Sequence, residues 1–370
     1  MPAIAPTPLP APWRLRWKAA TWLGGATTLY GLVVLWLAAG RLGRDPAVDW
    51  MVVASVLLRD GALQVQPSRA VVITGMAVNQ ALEFVWTLLF FLGFGRWTAT
   101  ATPARIALAW LPWAALTATV EWTLLMPLWP FAQPLFSLSH PLWLGWMVHA
   151  VSMSLYPLYP WLLQRLSARP RRADRFSRRW AIGAGATLVA AGVLAALPLE
   201  PPYLGTRRQA DQRWLRHIAV HHQQGQQLAA LAEQRAQSER LRALARLMQA
   251  TQAADLRAIE RWWVSWTGAP PAWVCSAAER AAMPGLLSEQ QLQALGATPA
   301  EGFDAAFVEA MSWHHAGAAQ MAGALLDEPT DPRLWLQAHA IRHAQRGEIA
   351  LMHDLRGTRA VRAAWAAMGR

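Results

Sequence analysis

The first 200 residues contain five long apolar stretches, approximately Ala20–Ala39, Ala70–Phe94, Ile106–Trp129, Pro141–Gln164 and Trp180–Pro198. A bilayer core takes about 20 consecutive apolar residues per helix. One such run reads equally well as a buried core helix. Five in succession leave too little polar sequence to cover them in water. Trp22, Trp97, Trp129, Trp143, Trp161 and Trp180 stand near the ends of the runs, as residues of an interfacial belt do. Val48–Leu58 is apolar but too short to span, and reads as part of a loop or as an interfacial helix. The expectation for residues 1–200 is a membrane domain of about five helices.

The charge supports this reading. The chain carries 34 Lys and Arg against 22 Asp and Glu, a net +12, and Lys18 is its one lysine. A basic balance points either to a nucleic-acid surface or to an arginine bias set by a membrane. Residues 1–202 hold a net +9 and residues 203–370 only +3. The cations of the first half gather in alternate connections. Arg14, Arg16 and Lys18 precede the first run, Arg96 and Arg105 follow the second, and Arg165, Arg169, Arg171, Arg172, Arg175, Arg178 and Arg179 follow the fourth. The positive-inside rule then places the N-terminus inside and everything after the fifth run outside. The 41–69 connection fits least well, since Arg41, Arg44, Arg59 and Arg69 are only partly offset by Asp45, Asp49 and Asp60. A charge with this address speaks for topology and against nucleic acid as a partner.

Ionisable groups within membrane helices are costly and mark functional sites by default. Glu83, Glu121 and His149 are such groups, with Asn79 one turn before Glu83. Each lies roughly 12–20 Å from the expected outer end at 1.5 Å per residue, so the three could share one layer. They read either as a proton, ion or cofactor site or as a polar cluster that fixes helix packing.

The second half repeats itself. Segments beginning at Asp211 and Asp304 align without a gap at an offset of 93 residues. His221-His222 falls on His314-His315, Gln252 on Gln345, Asp255 on Glu348, and Trp214 on Phe307. A gap-free match of this length indicates duplication. Each copy reads as a helical hairpin, over 203–266 and 303–357, with a Gly- and Pro-richer linker at 267–302 and a tail at 358–370. Two hairpins make a four-helix bundle, so the fold class is all-α. Met311, His314/His315 and Met321 recur at helical spacing, as do Gln345, Glu348 and Met352. Adjacent histidines differ by about 100° in direction, so one of each pair is expected to face the bundle interior and the other to reach a neighbouring helix.

The run Phe303-Asp304, Phe307, Met311, His314-His315, Met321-Ala322, Gln345, Glu348-Ile349 and Met352, with Met283-Pro284-Gly285 ahead of it, resembles the domain-of-unknown-function family 305. The likeness covers about residues 211–356. It implies a ferritin-like four-helix fold, bacterial export and a metal role, since some members are linked to copper tolerance. With the arginine topology, it implies a bacterial inner-membrane protein with a periplasmic C-terminal domain. The first copy departs from the pattern. Ile218, Leu228 and Ile259 stand where the second copy has Met311, Met321 and Met352.

Thioethers favour Cu(I), while imidazole accepts copper, zinc, iron or nickel. His221, His222, Met311, His314, His315, Met321, Glu348 and Met352 are therefore the candidate metal ligands, with copper the first expectation. A bundle without metal is the alternative, with methionines packing the core and histidines held by Asp255 and Glu348. A third reading is a membrane transporter or enzyme working through Glu83, Glu121 and His149, with the bundle as a regulatory cap. There is no Glu-x-x-His of the di-iron type, no His-Glu-x-x-His, no Walker loop and no Gly-x-Ser-x-Gly. No catalytic set is thus indicated. Cys275 is the one cysteine, so no intrachain disulfide forms.

Overall fold

The computed structural model describes residues 12–129, 134–167, 174–197, 200–355 and 357–368. Arg169, Arg171 and Arg172 of the expected cytoplasmic run, and residues 130–133, lie outside the described residues. The described chain is helical throughout, with no strand. It divides into two compact units. One comprises residues up to Leu37, Asn79–Thr119 and Trp146–Leu194, and the other Ala38–Val78, Val120–Gly145 and the chain from Ala195.

The apolar half forms α1 (Trp13–Ala39), α2 (Pro46–Leu58), α3 (Arg69–Leu88), α4 (Pro103–Val120), α5 (Leu142–Ser152) and α6 (Arg175–Ala196). Three helices are long and apolar enough to cross a membrane, over Trp13–Leu42, Arg69–Gly93 and Arg175–Ala196. Only 6% of the apolar window in α6 is buried. Such a helix, with Ile182 and Val189 outward, has no stable place in water.

Two of the five expected spans differ. Pro141–Gln164 is not one helix: α5 stops at Ser152, and the chain restarts in a short turn at Tyr156–Leu158 and a helix at Tyr159–Arg165. Pro157 and Pro160 lie at this break, where the missing N–H and the ring disfavour a continuous ladder. In Ile106–Trp129, α4 runs into a π-helical segment, Glu121–Leu125. The short apolar stretch also differs. Asp45 caps Pro46 at its start, and the resulting α2 is buried from Trp50 to Val56. It belongs to the interior of its unit.

Within the first unit, aromatic rings form the core. Phe91 stacks on Tyr159 with ring centres 4.1 Å apart, and the Tyr156 hydroxyl donates to Thr87 Oγ1 at 3.0 Å.

The charged half forms α7 (Arg208–Arg235), α8 (Glu239–Thr267), α9 (Ala277–Ala282), α10 (Ala300–Leu326), α11 (Pro332–Met352) and α12 (Gly357–Met368). α7 pairs with α8 and α10 with α11, while α7 meets α10 and α8 meets α11. The four share one core. Leu215 and Ile218 of α7, Ile259 and Trp262 of α8, Ala318 and Ala322 of α10, and Leu334 and Ile341 of α11 are all buried within it.

The duplication is visible in how the helices start. Asp304, on α10, accepts the backbone N–H groups of Gln237 and Ser238 at 2.8 and 2.9 Å, at the entrance of α8. Asp211, its counterpart on α7, accepts the N–H of Asp331 at 3.1 Å, at the entrance of α11. Ser238 and Asp331 are themselves 93 residues apart. The first helix of each hairpin therefore satisfies orphan donors that start the second helix of the other.

The linker is held by two residues one turn apart on α7. Pro284 O accepts from His221 Nε2 at 3.1 Å. The Gln224 amide donates to Leu287 O and accepts its N–H, at 2.8 and 2.7 Å. Gly285, at φ +75°, lies on Gly317, where a Cβ at either position would come within 2.8 Å of backbone atoms. The Met-Pro-Gly sequence thus marks a backbone-to-backbone contact that admits no side chain.

Asp211→Ala leaves the Asp331 N–H and the Tyr203 hydroxyl without their acceptor. It is expected to cost about 2–3 kcal/mol in chemical denaturation, against about 1–2 kcal/mol for Asp304→Ala. Equal stability of both variants and the parent would remove the cross-hairpin caps as a determinant of the fold.

Candidate metal centre

All four paired histidines are fully buried. Within each pair they face different ways, as the 100° step requires. His222 Nε2 lies 3.0 Å from Asp255 Oδ2, joining α7 to α8. Its counterpart, His315 Nε2, lies 2.7 Å from Glu348 Oε2, joining α10 to α11. The other two meet between hairpins. The rings of His221 and His314 have centres 3.9 Å apart, and His314 Nε2 contacts the His221 carbonyl at 3.1 Å.

These contacts determine the tautomers. A carbonyl oxygen only accepts, so Nε2 carries the proton in His221 and His314. Asp255 favours the same assignment in His222. Nδ1 is left with the lone pair in His221, His222 and His314. No Nδ1 of the four histidines has a hydrogen-bond partner, nor do His315 Nε2, Gln252 Oε1 and Nε2 or Gln345 Oε1 in the same core. Buried polar atoms without partners are uncommon. Here they come from both repeats.

Burial, reinforced by the neighbouring imidazoles, keeps the central pair neutral. The His221 imidazole is pushed down to about 3. His314 lies well below the ordinary 6.5. Neutral imidazole is the form that ligates metals.

Asp255, Gln345 and Glu348 also line a cavity of about 60 Å³, with Arg44 and Asp49 on its far wall. Arg44 pairs with Asp49 at 2.5 Å, and His140 Nε2 sits 3.3 Å from the same carboxylate oxygen. The carboxylates that face His222 and His315 therefore border one cavity. Gln337 donates to Asp255 Oδ1 at 2.6 Å, so that carboxylate is held from two sides.

The remaining expected ligands fall elsewhere. Met311 is fully buried and Met352 nearly so, while Met321 packs on the apolar core. Among the described residues no hydrogen bond joins their sulfurs to a histidine. No three of the His221, His222, His314, His315, Asp255 and Glu348 side chains bring ligand atoms within 4.8 Å of one another. Elsewhere on α11 and just after it, His343 Nε2 meets Ser137 O at 2.9 Å and His353 is exposed.

Of the intramembrane residues, Glu83 and His149 come together in the first unit, with Nε2 to Oε1 3.7 Å. His149 Nδ1 is 2.9 Å from Thr117 Oγ1. Asn79 is half-buried on α3. Glu121 belongs to the second unit and opens the π-helical segment. Sequence reasoning missed Thr117, the Pro284 carbonyl and Gln337. Only Pro284 carried a signal, as part of the Met-Pro-Gly run.

The depressed imidazoles set a direction for stability. Above the ordinary 6.5, His221 and His314 are neutral in both folded and unfolded chains and contribute no pH dependence. Below it the unfolded chain takes up protons that the folded one refuses. Stability is therefore expected to fall from about pH 6.5 toward 3, by roughly 1.4 kcal/mol per pH unit for each histidine. Denaturant midpoints between pH 7 and 4 read this slope, which His314→Leu should flatten. An unchanged slope would mean that His314 is charged in the folded protein.

Residues 211–356 match the family model described as domain of unknown function, DUF305. The crystal structure of a DUF305 fragment from Deinococcus radiodurans is 32% identical, with 42% of this chain and 97% of that chain covered and a TM-score of 0.37. A DUF305 protein from Streptomyces coelicolor, described as secreted, is 27% identical, with 38% and 88% covered and a TM-score of 0.35. No curated protein matches the chain. Residues 211–356 of the chain are thus a DUF305 domain.

Proposed function

We propose that this is a membrane-anchored protein whose ferritin-like four-helix bundle stands in the periplasm and captures a transition metal, copper first, for tolerance or delivery. One observation carries the reading. Four buried imidazoles, drawn from both repeats, each leave Nδ1 without a protein partner, while Nε2 of His221, His222 and His314 meets an oxygen acceptor. Holding one ring nitrogen on a carboxylate or carbonyl, so that the other can ligate, is how proteins orient metal-binding histidines.

Copper suits the donor set better than zinc or iron. Structural zinc takes four ligands, and no preassembled group of three is present among these side chains. Cu(I) accepts as few as two donors and is well served by imidazole. His221, His222, His314 and His315 would hold the ion, and Asp255 and Glu348 would orient His222 and His315. Copper bound there would be sequestered from redox cycling in solution.

The periplasmic placement draws support from how the chain divides. The connections at 96–105 and 165–179, rich in arginine, belong to one unit, and the 41–69 connection and the whole charged half belong to the other. This alternation is what an N-terminus inside and a C-terminal half outside would produce. A reporter fused after Arg370 is expected to be active only outside the cytoplasm. Cytoplasmic activity would reverse the orientation.

Purified full-length protein titrated with Cu(I), Cu(II) and Zn(II) tests metal capture. Tight stoichiometric Cu(I) binding is expected, abolished by His222→Ala with His315→Ala. Asp255→Asn and Glu348→Gln should weaken it about 10–100-fold. Absence of binding at micromolar metal would sink the proposal. It would favour the membrane-half reading, for which the contact of His149 with both Glu83 and Thr117 speaks.

A further inference from the structure

A second group of metal-ligating side chains lies outside the paired histidines. His217 of α7, Cys275 in the linker and Glu279 of α9 each present a ligand atom, and the three atoms lie within 4.8 Å of one another. It is the one His, Cys, Asp and Glu group of three or more that meets this distance among the described residues. All three residues are half-buried, so the group is sheltered yet reachable from solvent.

The carboxylate is positioned before any ligand arrives. Glu279 is the third residue of a capping box, and its Oε2 accepts from the Ser276 N–H at 2.8 Å and the Ser276 hydroxyl at 3.0 Å. Oε1 is thereby turned toward His217 Nε2, 3.3 Å away. These hydrogen bonds, led by the Ser276 backbone, hold the carboxyl at about 2, so it is ionised. Cys275 immediately precedes the cap, and so the same turn that fixes Glu279 fixes the sulfur. The Arg216 guanidinium pairs with Glu279 Oε1, placing a positive charge where a cation would otherwise sit.

The group is no relic of the duplication. The position matching His217 in the second copy is Ala310, and Cys275 is the chain's only cysteine. The donor set itself identifies the ligand class. One thiolate, one imidazole and one carboxylate are three of the four positions of tetrahedral zinc, with the fourth open to water.

We propose that His217, Cys275 and Glu279 form a distinct binding site for a thiophilic divalent cation of the zinc class. Ligation replaces the S–H bond of Cys275 with a metal–sulfur bond, releases that proton to solvent, and displaces Arg216 from Glu279.

Co(II) added to the purified full-length protein is the direct probe. A sulfur-to-cobalt charge-transfer band can arise from only one thiol in this chain. The band should grow to one equivalent, be displaced by Zn(II), and vanish in Cys275→Ser. His217→Ala is expected to weaken Co(II) binding by about 10-fold or more. Arg216→Gln should tighten it, because a competing cation is removed, an outcome that a purely structural Arg216 would not give. The band should persist in the His222→Ala, His315→Ala double variant, so the site stands or falls independently of the bundle interior. Absence of the band in the parent protein, or full binding in His217→Ala, would overturn the assignment.

Discussion

A buried imidazole must place its N–H on an acceptor or lose the free energy of a stranded donor. Four of them in one helical core make this the dominant packing constraint of the charged half. The outer two lie against acidic residues at equivalent positions of the two repeats, Asp255 and Glu348, at 3.0 and 2.7 Å. The inner two have no side-chain acceptor. One reaches a carbonyl of the opposite hairpin and the other a carbonyl of the linker. The approach of α7 to α10, and the course of the chain through Pro284, follow from those two bonds. Gly285 and Gly317 supply the close backbone contact that lets the linker come near enough.

Much of this was legible in the sequence because it repeats. The 93-residue offset located both hairpins, both histidine pairs and the Asp255–Glu348 equivalence, since helical spacing converts directly into faces. What periodicity cannot encode is a partner that is backbone. The carbonyls of His221 and Pro284 have no residue identity to read, and neither do the N–H groups capped by Asp211 and Asp304. The methionines illustrate the opposite limit. Met311, Met321 and Met352 occupy the right helical faces, yet a face is shared by core and ligand alike, and Met321 belongs to the apolar core.

The apolar half was legible as apolar, though not as a count of spans. Hydropathy integrates over a window and does not register where the ladder breaks. Pro157 and Pro160 sit inside a run that scores as one segment, and the chain there forms two short helices separated by a turn. The Val48–Leu58 stretch failed in the other direction, because its length excluded a span while its composition suited a protein interior equally well. Asp45 and Pro46, a strong start signal, were the residues that distinguished a helix there from a loop. Among the intramembrane polar groups, depth in the sequence brought Glu83 and His149 together correctly. It offered no means of finding Thr117, whose hydroxyl is unremarkable in an apolar helix.

The reciprocal aspartates bear on ancestry. Because Asp211 serves α11 and Asp304 serves α8, neither hairpin holds the aspartate that accepts the backbone N–H of its own second helix's N-cap residue. A lone ancestral hairpin of this design would have been complete only as a two-fold homodimer, each copy supplying the aspartate the other lacked. Fusing the two copies through the linker turned a concentration-dependent association into an intramolecular one. It also released the halves from identity. Once joined, the copies could differ, and one has Ile218, Leu228 and Ile259 where its twin has Met311, Met321 and Met352. A symmetric dimer, whose every substitution appears twice, could not have divided its chemistry in this way.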